Sequence, residues 1–437
     1  MTRAANGLPP VARLALEITG GVAPRLHTTS MRPRRSLPVI PIPSPGSVRQ
    51  TARRSSAVDR STSALVGLVF ALWLPQTARA EPHFSARTGL RCSRCHVSPT
   101  GGGKRTPYAA LYAHSSLPIS WTRPHARTPS PAVPAADGAW TSWLLTTMAT
   151  GEVTSWLALG ADLRLSNLTT FSDERQNTFD ATGGNLYLEL RPWPGRVVLY
   201  VDEEVAAGGA RSREAWGMIR GPWSTYLRGG WMLPPFGLRL LDDETYTRRA
   251  TGANFANPDM GLELGADLGP LFAAVALTNG NFSAVDNDRH KAIYALLELN
   301  FDLGRAGISG AHNPSEEGCR TMMASFAAMR LGRVVLQGEV DLIADRPPDS
   351  SRWSYGVAGM AELDLLVTRG VGLRLGYDYH DADLDLGRDR RQRFRFGLDL
   401  FPLRMVEVKI YYMLRQTETT QPLDDADRLE VTLHVYL

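Results

Sequence analysis

Apolar and polar residues alternate along most of residues 153–437, and the segments that do so are joined by turns that are alternately tight and long. With an export leader ahead of them, these features predict an all-β chain, an antiparallel outer-membrane β-barrel of about sixteen strands. A short segment before the barrel is too small to fold alone and is expected to act as a plug.

The leader comes first. Residues 64–74, Ala-Leu-Val-Gly-Leu-Val-Phe-Ala-Leu-Trp-Leu, are an apolar run preceded by Arg53, Arg54 and Arg60, with small residues Ala78 and Ala80 before Glu81. This is the pattern of a secretory signal peptide, too short to span a bilayer, with cleavage expected before Glu81. Residues 1–80 are therefore read as a removed leader. The Pro- and Arg-rich stretch before residue 50 is long for such a leader, and Val58 is an alternative start.

Charge follows the same division. Residues 1–80 hold 11 Arg against Glu17 and Asp59, so the formal +4 of the chain becomes −5 for the remainder. A nucleic-acid partner is not expected of an acidic mature chain.

Residues 81–114 carry the densest chemistry. Cys92-Ser93-Arg94-Cys95-His96 places two thiols three positions apart with an imidazole directly after them. That is the c-type haem pattern: two thioether bonds to one porphyrin, and an axial nitrogen for its iron. A zinc half-site, a redox dithiol or a disulfide would also use CxxC. The third cysteine, Cys319, stands alone, so a four-cysteine zinc site is excluded. Tyr108, Leu111 and Tyr112 recur at helical spacing and would cover one haem face. The second axial position is open: His83, His114, His125 and Met148 are within chain reach, and a vacant position is a further alternative. Residues 115–138 form a Pro- and Ala-rich linker.

Residues 139–437 are the barrel. Leu157, Leu159, Ala161, Leu163 and Leu165 alternate with Ala158, Asp162 and Arg164, and Phe394, Phe396, Leu398 and Leu400 alternate with Arg393, Arg395 and Asp399. Similar stretches recur at 186–190, 197–201, 262–268, 293–303, 357–365, 371–379, 406–414 and 429–437. Tight connections near 192–195, 221–222, 269–270, 304–305, 332, 368–370 and 402–404 separate long ones near 167–183, 204–211, 233–259, 280–289, 312–320, 345–352, 381–390 and 416–427. An even strand count closes without an unpaired edge. Trp193, Trp223, Tyr226, Trp353 and Tyr412 are expected in interfacial girdles. A soluble all-β protein is the structural alternative.

These features resemble the fused cytochrome-porins, single-haem outer-membrane barrels that include bacterial iron oxidases. The resemblance rests on the leader, on Phe84-Ser-Ala-Arg-Thr-Gly-Leu-Arg-Cys-Ser-Arg-Cys-His-Val near the mature N-terminus, and on the barrel-length remainder. The Gly101-Gly102-Gly103 run and the Pro-rich linker differ from the iron oxidases of that family. The resemblance implies one covalent haem c on Cys92 and Cys95, His96 as its axial ligand, and a role passing electrons across the outer membrane. Its partners would be outer-membrane lipid, a periplasmic electron-carrier cytochrome and an extracellular donor or acceptor, with Fe(II) as one candidate. The competing function is a solute porin with a redox-sensing cytochrome-like plug.

Lumen-facing Arg391, Arg393 and Arg395, beside Asp378, His380, Glu407 and Lys409, are read either as a charge ladder or as partners for haem propionates and the plug. Three acidic groups, Asp242-Asp243-Glu244, Asp381 with Asp383 and Asp385, and Asp424-Asp425 with Asp427, are read as solvated loops or as cation-gathering sites at the outer mouth.

Overall fold

The structure is a computed structural model that describes residues 82–119, 139–172, 175–206, 209–242, 244–283, 285–286, 288–418 and 426–437. The leader, most of the linker, His125, Asp243, Asp424 and Asp425 lie outside them.

Sixteen strands pair in sequence order and close on themselves where β1 (Leu157–Phe171) meets β16 (Asp427–Tyr436). All ladders are antiparallel, and the closing register sets Asp162 opposite Tyr436 and Phe171 opposite Asp427. Closure removes every free strand edge, which a bilayer without water demands of backbone N–H and C=O groups. Among the described residues no helix is long and apolar enough to cross a membrane, so the strands do the spanning.

The period-two pattern sorts side chains between lipid and lumen. On β8 (Ala292–Phe301), Ile293, Leu297 and Leu299 are exposed on the outer wall while Tyr294 and Glu298 are buried inside. On β14 (Arg391–Leu403), Arg393, Arg395 and Asp399 are buried and Phe396 is exposed. Trp193, Trp223 and Tyr412 are exposed near strand ends, as a girdle requires. Tyr226 is a correction: it is buried at the start of β5 (Thr225–Met232) and its hydroxyl donates to Glu263 Oε1 at 2.7 Å. Its phase on the strand turns it to the lumen, where a phenol can meet a carboxylate.

Two segments occupy the lumen. The first is residues 82–119, with helices α1 (Pro82–Thr88), α2 (Cys92–Cys95) and α3 (Pro107–Ser116). It enters at the end of the barrel where the turns are short, which is the periplasmic end by that asymmetry. Arg91 pairs closely with Asp267, Arg87 with Asp364, and Arg330 Nη1 donates to the Arg87 carbonyl at 2.9 Å. Helix α4 (Ala139–Thr150) packs on α3 and leads into β1. The second is the long connection after β5, which turns inward. Gly237, at φ +56°, donates from its N–H to Ser309 Oγ at 2.9 Å, and the Leu238 N–H donates to Glu339 Oε2 at 2.7 Å. Its short helix α5 (Tyr246–Thr251) brings Arg248 onto Glu339.

Replacing Leu297 with Arg puts a guanidinium on the lipid face near the middle of β8. Folding into vesicles is expected to weaken by about 2–4 kcal/mol, read as a lower folded fraction on unheated gels, while Leu297→Ile at the same position leaves insertion unchanged.

Candidate functional site

The CxxCH stretch is organised by local geometry. Cys92 and Cys95 bracket the single turn of α2, and the His96 N–H donates to the Cys92 carbonyl at 2.8 Å. The chain then reverses: His96 pairs with Arg105 across a β-bridge, and Val97 N–H meets the Lys104 carbonyl at 3.0 Å. Thr106 caps α3, with Pro107 at its first position, and its hydroxyl donates to the Arg94 carbonyl at 2.7 Å. This bond ties the two helices on either side of the loop.

The reversal depends on three consecutive glycines with φ of +95°, +83° and +63° at Gly101, Gly102 and Gly103. Each also touches a different neighbour. A Cβ on Gly101 would lie 3.2 Å from Cys92 Cβ, one on Gly102 would lie 2.7 Å from Phe255 of the inward loop, and one on Gly103 would collide with the Tyr200 hydroxyl on β3 (Val197–Glu204). The glycine run is thus both a turn and a close approach to wall and loop.

Charged wall residues clasp the rest of the segment. Arg228, fully buried, bonds Glu263 Oε2 at 2.7 Å and donates to Ser98 Oγ at 2.9 Å, with Glu214 at 3.7 Å. Tyr200 Oη accepts from the Lys104 N–H at 2.8 Å, and Lys104 Nζ sits 3.3 Å from Glu189. Arg105 stacks over Tyr436 of the closing strand at 4.1 Å. Arg239 of the inward loop reaches Thr100 Oγ1 at 3.3 Å. The two lumen segments therefore meet at Thr100–Arg239 and at Gly102–Phe255, with Phe255 held beneath the Arg213 guanidinium at 4.5 Å.

The donor set suits a covalent haem. Neither thiol is in a disulfide. His96 is buried, and its Nδ1 lies 3.3 Å from the Gly103 carbonyl, the second-shell bond that leaves Nε2 for a metal. Burial, with Arg105 beside it, lowers the imidazole to about 4, so the ring is neutral at physiological pH, as a ligand must be. Burial and the neighbouring Cys92 raise the Cys95 thiol to about 11. Cys95 opens into a small cavity lined by Phe84, Thr88, Arg105, Tyr108, Ala109, Tyr112, Ala113 and Leu117. Phe84, Tyr112 and Leu117 also line an adjoining cavity of about 480 Å³ that Cys92, Cys95 and His96 do not reach, with Arg87, Arg333 and Arg369 on its wall beside Asp364 and Asp399.

Other expected sites fare differently. His83 Nε2 faces Asp364 at 3.1 Å, and His114 is held to the Ala149 carbonyl, while Met148 is exposed. The acids of the inward loop are a correction to the outer-mouth reading. Asp242 accepts from Arg393 at 2.8 Å and Arg395 at 2.9 Å, and Glu244 pairs with Arg415 and Arg428. A long loop need not face water, and here it folds in to neutralise the arginine ladder. Asp385 pairs with Arg352, Asp381 with Arg390, and Asp427 accepts from the Tyr412 hydroxyl. Among the described residues no group of three or more His, Cys, Asp or Glu is arranged to hold a metal. Cys319 is buried on β10 (Gly318–Leu331), beside a cavity at the outer mouth.

Between the inward loop and the wall lies a cavity of about 340 Å³, lined by Arg164, Arg374, Arg395, Lys409 and Arg428 together with Asp180, Asp242, Glu244, Glu362 and Glu430.

No protein-family model matches the chain, and no curated protein matches it. Solved structures do. OmpT of Vibrio cholerae in its trimer form superposes with a TM-score of 0.52 at 9% identity, covering 64% of this chain and 100% of that one. The chain is an outer-membrane β-barrel with a porin-like fold. An anion-selective porin from Comamonas acidovorans gives 0.51 at 10% identity, with 64% and 99% covered, and Salmonella typhi OmpF in complex with daunomycin gives 0.50 at 8%, with 64% and 97%. At these identities the likeness concerns the fold.

Two substitutions test the clasp. Arg228→Met strands Glu263 and Glu214 without their buried cation and is expected to cost about 3–5 kcal/mol in urea unfolding from vesicles, partly recovered by adding Glu263→Gln. Gly102→Val should leave the barrel folded yet expose residues 97–106 to protease, because valine meets Phe255 and resists the left-handed backbone.

Proposed function

We propose that the chain is an outer-membrane electron conduit, with one haem c bound through Cys92 and Cys95 and ligated by His96, linking an extracellular donor or acceptor to a soluble periplasmic electron carrier. The observation that carries this reading is the seating of the CxxCH loop within the barrel, against the inward-folded loop, rather than on a free domain outside it.

An apolar band of about 25 Å is too thick for useful transfer without a cofactor inside it. A bound haem would supply a one-electron couple whose potential depends on its axial ligands and on burial. The protein's own residues do the rest. Arg228, Arg91 and Arg305 anchor the segment to β5, β6 (Asp259–Leu268) and β9 (Gly304–Ser315). Gly103 orients the His96 ring, and Phe84, Tyr108 and Tyr112 offer an apolar surface beside Cys95. Phe255 and Arg239 close the lumen directly above the attachment loop.

A second reading, a solute channel with a cytochrome-like plug, is supported by the charge-lined cavity of about 340 Å³ that both lumen segments leave open. Reconstitution distinguishes them. A conduit carries electrons from an external reductant to a ferric chelate enclosed in vesicles, and Cys92→Ala with Cys95→Ala removes both the haem stain of the denatured protein and that transfer. A channel instead releases trapped small solutes at a rate the double substitution does not lower. Vesicles that leak solute but never reduce the enclosed chelate, with wild-type protein lacking a haem stain, would overturn the proposal.

A further inference from the structure

The two ends of the barrel differ in charge. Arg196, Arg220, Arg333, Arg369 and Arg404 are exposed on the short turns, and Arg94 is exposed on α2 inside their ring. Among the described residues of that end, Asp302 is the exposed acid; Asp267 pairs with Arg91, and Glu152 takes two bonds from Arg191. An apolar patch lies at the same end of the barrel. Helices α3 and α4 pack together and leave Tyr108, Leu111, Trp143 and Met148 about half exposed, at 50%, 53%, 49% and 55%. Tyr108 also lines the cavity into which Cys95 opens.

We propose that this periplasmic mouth is a docking face for a soluble periplasmic protein that presents an apolar centre inside an acidic ring, and that its occupant sits over the Cys95 side of the attachment loop. The inference rests on the conduit reading for the partner's redox role, but the surface itself is independent of it. An apolar centre within a charged rim is the anatomy of a protein interface, and a ring of one sign around a recessed site steers a partner of the other sign. Arginines serving anionic lipid headgroups would sit on the outer wall alone. Here Arg94 lies on the lumen segment, and Arg369 reaches inward, its Nε donating to the Pro118 carbonyl at 2.9 Å. Nor would lipid account for exposed aromatic and aliphatic side chains on α3 and α4.

The experiment uses the full mature holoprotein in nanodiscs and two soluble probes of similar size, an acidic c-type cytochrome and a strongly basic one, each with zinc in place of iron so that binding is read without electron transfer. The acidic probe should bind, with affinity falling as salt rises, and the basic probe should not. Reversing Arg196, Arg220 and Arg404 to Glu should slow association of the acidic probe by about tenfold or more and admit the basic one, while Leu111→Ser with Met148→Ser should speed dissociation. Equal binding of both probes, or no effect of the reversals, overturns the proposal even if electrons cross the membrane. Reversals that act only when the nanodisc contains phosphatidylglycerol, and not in phosphatidylcholine, would assign the arginines to lipid and also overturn it. Charge-dependent docking by a protein that stains for no haem would leave this surface standing while the conduit falls.

Discussion

Hydrocarbon offers no hydrogen bonds, and that constraint organises the molecule. Sixteen strands close from β1 to β16, so the spanning backbone pairs from strand to strand around the sheet, interrupted by register shifts such as that between Arg164 and Ser166. Closure creates a second problem. The inner faces of most strands carry charged side chains that are cut off from bulk water once anything fills the lumen, and those charges must then be matched.

The two lumen segments answer that demand. Asp364 meets His83 and Arg87, Asp267 meets Arg91, and Glu189 meets Lys104, so the N-terminal segment is held by acids of the wall. The inward loop is held from both directions: Asp242 takes Arg393 and Arg395, and Arg248 takes Glu339. Neither segment needs a large apolar core of its own, because the barrel completes it. Val97 joins Phe236 and Leu238 in one apolar cluster with wall residues Tyr200, Trp216 and Met218, and Phe84 joins Leu117, Phe401 and Tyr436 in another. The region around the CxxCH loop is therefore a meeting of three parts of the chain, each contributing what the others leave unsatisfied.

Strand number, strand phase and the position of the tight turns were legible because a side-chain period of two and Gly- or Pro-bearing turns are local signals. Phase placed Arg393 and Arg395 inside and Phe396 outside from alternation alone. Tyr226 was misplaced because an aromatic near a strand end reads as girdle until its phase is compared with Arg228, which shares its inward face. The glycine run was visible but mute: nothing in three consecutive glycines tells that Cys92, Phe255 and Tyr200 press on them from three sides. The acids at 242–244 looked solvated because the sign of a charge cluster is local, whereas its partners, Arg393, Arg395, Arg415 and Arg428, lie some 150 or more residues away.

The sequence by itself determined the barrel and its lipid-facing side, since each depends on residue type and short-range spacing. Tertiary structure alone decided that the connection after β5 folds inward, that it meets the CxxCH loop at Phe255 and Arg239, and that arginines ring one mouth while Asp242, Glu339 and Asp364 pair with cations inside the lumen. Those outcomes depend on which charges and surfaces closure brings together, and distance through space across a closed sheet is not written in the order of residues along the chain.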